Sequence, residues 1–149
     1  MSLPLPSPAL RVRDLVPEDL PDVIRIDAAH SGSEKRDYWA SVLRDFRGPH
    51  RIRLAAETGG RVVGHLLGEV RAFELGSEPC GWVFAVGVDP GHLRQGVAAT
   101  LLGAACRRFG KAGVRRVRTM VRRDDVAMLS FFRAAGMVGG PFVQMERSL

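Results

Sequence analysis

The residues with the clearest chemistry lie in the run Leu93-Arg94-Gln95-Gly96-Val97-Ala98-Ala99-Thr100. Apolar residues recur at helical spacing from there, at Val97, Leu101, Leu102, Ala105 and Phe109, which predicts a helix beginning near Gln95 or Gly96. The first turn of a helix carries N–H groups that no helical carbonyl can satisfy, at the positive end of the dipole. Gly96 has no Cβ and Ala98 adds only a methyl group, so a phosphate can come up against the backbone there. The chemistry is phosphate binding.

What leads into that turn is strand-like. Trp82, Phe84, Val86 and Val88 alternate with Val83, Ala85 and Gly87, and neither set suits water, which predicts a strand in the middle of its sheet. Asp89-Pro90-Gly91 then stops it. A second group of chemical interest is the carboxylate set Glu69, Glu74, Glu78 and Asp89, with His92. Any of these is a candidate base. Glu69 is favoured, because its strand precedes the Trp82–Val88 run and neighbours it, although an ion pair with Arg71 on the same strand face explains it equally well. His92 also reads as an exposed loop residue, and Asp89 as the cap of its own turn.

The remaining elements follow from periodicity and turn chemistry. Residues 10–15 alternate as a first, edge strand. Pro17-Glu18-Asp19 opens a helix with the apolar face Leu20, Val23, Ile24 and Ala28. Ser33 is placed to cap a second helix carrying Tyr38, Trp39, Val42, Leu43 and Phe46. Strands at residues 52–57 and 62–73 flank Thr58-Gly59-Gly60 as an antiparallel hairpin, with His65, Leu67, Glu69, Arg71 and Phe73 on one face of the second. After the helix of the phosphate turn comes a strand over residues 114–121, parallel to the Trp82–Val88 strand. A helix capped by Asp124 or Asp125 and a last strand over residues 137–145, interrupted at Gly139-Gly140-Pro141, complete the order β-α-α-β-β-β-α-β-α-β.

Two segments carry a resemblance to the GCN5-related N-acetyltransferase (GNAT) family. Val88-Asp89-Pro90 followed by Gly96 and Ala98 is similar to its coenzyme A loop, a V-x-P turn and then Q/R-x-x-G-x-G/A, with Leu93 in place of the usual Gln or Arg. The segment DDVAMLSFFRAAGM resembles its second signature, N-x-x-A-x-x-x-Y-x-x-x-G-F, aligned on Gly136. Asp125 then takes the Asn position, Met128 the Ala, Phe132 the Tyr and Met137 the Phe. The element order agrees over nearly the whole chain.

The resemblance implies an α/β fold, a GNAT-like mixed central sheet flanked by helices, and transfer of an acetyl group from acetyl-CoA to an amine. It implies cofactor contacts at Val86, Gly87, Val88, Arg94, Gln95, Gly96, Val97, Ala98, Ala99, Thr100, Asp125 and Phe132. It also implies oxyanion donors in the backbone of Gly87 and Val88, where the strand splays from its neighbour. The family's first two helices shape the acceptor site, which makes Tyr38 and Trp39 candidate acceptor-lining residues; helical aromatics are more often core. The family's tyrosine is cast as the acid that protonates the departing thiolate, and Phe132 has no hydroxyl to give. A thiol near pKa ~8.5 still leaves at neutral pH. Departures at Leu93 and Phe132 keep a second reading in view, a non-catalytic acyl-CoA-binding or regulatory domain.

Composition narrows the partners. A chain of 149 residues, 46% hydrophobic, has the material for one cored domain over residues 10–149 after a Pro-rich, disordered tail at residues 1–9. The net charge of +6 comes with five arginines between Arg115 and Arg123. Among 22 basic residues only Lys35 and Lys111 are lysines, a bias of the kind a GC-rich genome produces. No aromatic residue interleaves with these arginines to stack bases, so nucleic acid is not the expected partner. No apolar run approaches the ~20 residues of a membrane span. The N-terminus lacks a secretory pattern, and Cys80 and Cys106 read as reduced thiols, which gives a cytoplasmic expectation. His30, His50, His65 and His92 are scattered, with no metal-site spacing. There is no Walker motif or dinucleotide fingerprint. The acceptor is expected to be a small-molecule or peptide amine, and a homodimer is compatible with all of this.

Overall fold

The computed structural model describes residues 9–149. The tail expected over residues 1–9 lies, Ala9 apart, outside them. The described residues fall into two compact units, the first ending at Thr119 and the second Met120–Leu149.

The first unit holds a five-stranded sheet in the order β1-β2-β3-β4-β5, the order of the sequence. Strands β1 (Arg11–Asp14), β2 (Arg51–Thr58), β3 (Arg61–Arg71) and β4 (Cys80–Val88) pair antiparallel in succession, and β5 (Val117–Arg118) joins β4 in parallel. The edge strand and the hairpin form, with β3 stopping at Arg71 short of the expected Phe73, and the parallel pair forms over a shorter stretch than expected. Helix α1 (Leu20–Ser31) follows a 3-10 turn at Pro17–Asp19, and α2 (Arg36–Asp45) follows α1. Ser33 does not cap α2. The cap position falls to Lys35, with no side-chain bond.

Helices α1 and α2 cover one face of the sheet, where Val23, Ile24, Ile26, Trp39 and Leu43 pack with Ala55 and Leu67. Helix α3 (Val97–Lys111) covers the other. Its seat is made by glycines. A Cβ on Gly68 would come within 2.9 Å of the Phe109 ring, one on Gly81 within 2.7 Å, and one on Gly64 within 2.7 Å of Val97. Phe109 is fully buried against strands that carry no side chain at those points.

Strand β4 departs from the simple alternation in its sequence. Its register against β3 runs Glu69↔Trp82, Gly68↔Val83 and then Leu67↔Ala85, so Phe84 is an extra residue in a bulge. The bulge resets the faces. Gly81 and Val83 lie on the α3 side, and so do Val86 and Val88, opposite Leu66 and Gly64. Trp82 and Phe84 point instead to the α1–α2 side, where Phe84 meets Phe46 edge-on at 5.2 Å. Strand β4 is internal to the sheet, as expected, with β3 on one side and β5 on the other. It is fourth of five among the described residues, and β5 pairs with it only at Gly81 and Trp82, far short of the eight residues expected over 114–121. Where that ladder ends, the Thr119 hydroxyl donates to the Val83 carbonyl at 2.8 Å in place of a backbone partner.

The second unit holds α4 (Val126–Ala134), whose first turn is capped by Asp125, with Oδ1 accepting from the Met128 N–H at 3.0 Å. Gly136, at φ 87°, ends it. The strand expected over residues 137–145 does not form among the described residues. Pro141 has no N–H to give a ladder, and Gly139 and Gly140 add backbone entropy just before it.

Candidate functional site

The candidate phosphate turn follows directly on the end of β4. Asp89 stops the strand, with Oδ1 accepting from the Gly91 N–H at 3.0 Å and Oδ2 from Arg25 Nη1 at 2.6 Å. The Gly91 N–H and the Arg25 guanidinium hold its carboxyl below the usual range. Asp89 is thus committed to the turn, as its capping alternative predicted. Arg94 and Gly96 both take left-handed backbone, φ 61° and 79°, and α3 starts at Val97. Left-handed backbone costs a non-glycine residue about 1 kcal/mol or more, so Arg94 holds strain next to the candidate site.

The first turn of α3 has no side-chain cap and no acidic residue. Thr100 N–H is bonded to the Gly96 carbonyl, which leaves the N–H groups of Val97, Ala98 and Ala99 ahead of the helical ladder. A Cβ built on Gly96 meets nothing within 4 Å, so the approach is open. Gln95, Ala99 and Thr100 are exposed and Ala98 is half-buried. This donor set fits a diphosphate. Leu93 is half exposed and brings no hydrogen-bonding group to it.

The backbone of β4 supplies a second row of polar groups. Asp89 N–H donates to the Val63 carbonyl at 2.8 Å, which turns the groups of Asp89, and by alternation those of Gly87, into the ladder with β3. Val86 and Val88 therefore present their N–H and C=O groups to the opposite side, past the point where β5 pairs. The two residues named as oxyanion donors are thus not equivalent. Gly87 pairs with His65, and Val88 faces the open edge. Gly87 is needed there for another reason, since a Cβ would come within 2.5 Å of the His65 ring and 3.1 Å of Ile26.

Two histidines, His30 and His65, come together here although their spacing in the sequence does not relate them. His30, at the end of α1, approaches the Val88 carbonyl with Nε2 at 2.6 Å. A carbonyl only accepts, so Nε2 carries the hydrogen, and in the neutral ring Nδ1 is the acceptor. His65 is buried beside Trp39, ring centroids 5.3 Å apart, and its Nδ1 has no partner. Burial pushes its pKa down to about 4, with Asp27 pulling it up and His30 pressing it further down. Asp27 itself accepts from Trp39 Nε1 and Lys35 Nζ, both at 3.0 Å. No sequence spacing links residue 30 to residue 88; only the packing of α1 on β4 does.

The remaining candidates are placed as follows. Glu69 lies opposite Trp82, four residues along β3 from His65, and its Oε1 accepts from Arg71 Nε at 3.1 Å. Arg71 in turn lies 4.9 Å from the centre of the Trp82 ring. Trp39 is core and Tyr38 is half exposed, edge-on to it at 5.0 Å. In the second unit Asp125 caps α4, and Phe132 is buried, tilted against Phe131 at 5.0 Å. Among the described residues no group of three or more His, Cys, Asp or Glu is placed to hold a metal, and no helix is long and apolar enough to cross a membrane.

Comparison with known proteins places this arrangement. The fold is shared with aminoglycoside N-acetyltransferase AAC(6')-Iy, solved with CoA, at TM-score 0.85 and 18% identity over 99% of both chains. An aminoglycoside acetyltransferase from an uncultured soil metagenomic sample, solved with sisomicin, is similar at TM-score 0.73 and 21% identity, over 94% of this chain and 96% of that one. A transcriptional regulator from Bacillus halodurans C-125 is similar at TM-score 0.83 and 13% identity, over 95% and 100%. None of the curated proteins matches. The family model described as "Acetyltransferase (GNAT) family" matches residues 12–137. That span takes in the sheet, the turn at Gly96 and α4, and the chain belongs to the GNAT family of acetyltransferases.

Proposed function

We propose that the protein transfers an acetyl group from acetyl-CoA to the nitrogen of a primary amine, and that the open edge of β4 is where the transfer happens. The observation that carries this is the continuity of two donor rows. Eight residues separate the end of β4 from the uncapped first turn of α3, and the side of Val86 and Val88 that β5 leaves without a strand partner precedes it. In this reading Val97, Ala98 and Ala99 hold the diphosphate through backbone N–H groups, with Gln95, Gly96, Thr100 and the strained Arg94 forming the wall of the turn. The co-substrate brings a thioester, a carbonyl already activated toward an amine.

The N–H groups of Val86 and Val88 stabilise the oxyanion as the amine nitrogen bonds to the carbonyl carbon and the carbon–sulfur bond breaks. The amine must lose a proton. An imidazole is the commonest group for that work, and His30 stands at the Val88 carbonyl with Nδ1 free to accept. We assign the base to His30, and to Glu69 the holding of Arg71 over Trp82. The thiolate leaves without a tyrosine, since Phe132 stands at that motif position. The alternative of an inert acyl-CoA-binding domain rests on the Leu93 and Phe132 departures alone.

Free-thiol release with acetyl-CoA and a panel of primary amines tests the reading. Amine-dependent release well above the solvent rate is expected. Tight acetyl-CoA binding with no release for any amine would identify a binding domain instead.

A further inference from the structure

The face of the sheet that receives the acceptor has an unusual make-up for a polycation, and the geometry points to an amine of another kind. We infer that the acceptor is a monoamine whose nitrogen is tethered to an aromatic or bulky apolar group. This rests on the transferase reading above and names the substrate class of the same site.

The α3 side of β4 is filled by Phe109 and its neighbours, so an acceptor reaches the Val86–Val88 edge from the α1–α2 side. On that side the bulge turns Phe84 outward. It is 42% exposed, although it is a phenylalanine in the interior of a strand. Phe46 stands edge-on to it at 5.2 Å, and Trp82 follows two residues back. These rings make an apolar strip ending beside the edge. Phe84 lies two residues from Val86, about 7 Å along the strand, which an ethylamine tether spans.

The charges bordering the strip have the wrong sign for several ammonium groups. Arg51 lies 4.9 Å from the centre of the Phe46 ring, and Arg71 the same distance from that of Trp82. Three carboxylates of these elements are paired, Glu69 with Arg71, Asp45 with Arg44 and Asp27 with Lys35. An acceptor with ammonium groups beyond the reacting one would meet guanidinium groups and find these carboxylates occupied. A single amine, neutral when it attacks, meets no such opposition. Its apolar body gains by covering Phe84.

The test is kcat/KM by thiol release for 2-phenylethylamine and tryptamine against sisomicin and spermidine, with acetyl-CoA affinity measured separately. The aromatic monoamines are expected to exceed the polycations by about tenfold or more, and Phe84→Ala should raise KM for 2-phenylethylamine by about tenfold, a larger effect than on kcat. Phe84→Leu, which keeps apolar bulk without the ring, should fall between. Equal or better use of sisomicin or spermidine would overturn the inference and leave the transferase reading standing. So would an unchanged KM in Phe84→Ala. No release with any amine, despite bound acetyl-CoA, would overturn the transferase reading and this inference together.

Discussion

At the scale of single residues the account turns on which side chain takes the amine proton and which gives none to the thiolate. His30 and Glu69 are both acceptors by chemistry, but only His30 sits at the Val88 carbonyl, while Glu69 is tied to Arg71 beside Trp82. His30→Ala should lower kcat by about 10²-fold with acetyl-CoA affinity retained, and Glu69→Gln should stay within a few-fold of wild type. Steady-state kinetics decides between them: a loss of roughly 10²–10⁴ in Glu69→Gln would move the base to Glu69. Phe132→Tyr adds a hydroxyl where the family carries its acid. It should remain active, with any gain confined to low pH, where protonating the leaving sulfur helps. A pH–rate profile of the variant shows whether the added hydroxyl matters.

At the scale of elements, the fit of α3 to the sheet is the most exacting contact. Gly81→Ala would put a Cβ within 2.8 Å of three atoms of the Phe109 ring, which is fully buried. Overpacking of that kind costs about 1–3 kcal/mol, and a urea titration should show the lower midpoint with an unchanged slope. Much at this scale was legible beforehand. The hairpin at Thr58-Gly59-Gly60, the turn at Asp89-Pro90-Gly91 and the cap at Asp125 each rest on local turn chemistry, and each forms. What was not legible depends on partners distant in sequence. The bulge at Phe84 exists because β3 pairs with β4 in two registers, and nothing within residues 80–88 announces it. The row of glycines under α3 gains its meaning only from Phe109. The expected strand over residues 137–145 lost to Gly139-Gly140-Pro141.

At the scale of the whole molecule, His65 couples stability to pH. The unfolded chain takes up the histidine proton near the ordinary 6.5, whereas the native site resists it until about pH 4. Between those values the unfolded state binds more protons, so stability is full above 6.5 and falls as the pH drops. The difference is worth roughly 3 kcal/mol, about 2 of it gone by pH 5. Asp19, Asp27 and Asp89, held below the ordinary carboxylate value of 3.8, add their own losses only beneath this window. Urea midpoints at pH 7 and pH 5 should therefore separate in wild type and draw together in His65→Leu.

The central claim is that the co-substrate's phosphates sit on the uncapped turn at Gly96, and calorimetric titration of acetyl-CoA into wild type and Gly96→Asp tests it most directly. The space around that position is open, so the substitution spares the packing while setting a negative charge against the diphosphate. The account predicts a loss of affinity of about a hundredfold or more, with native circular dichroism and a much smaller loss in the uncharged Gly96→Asn. Wild-type affinity in Gly96→Asp with the fold intact would put the phosphates elsewhere and contradict the account.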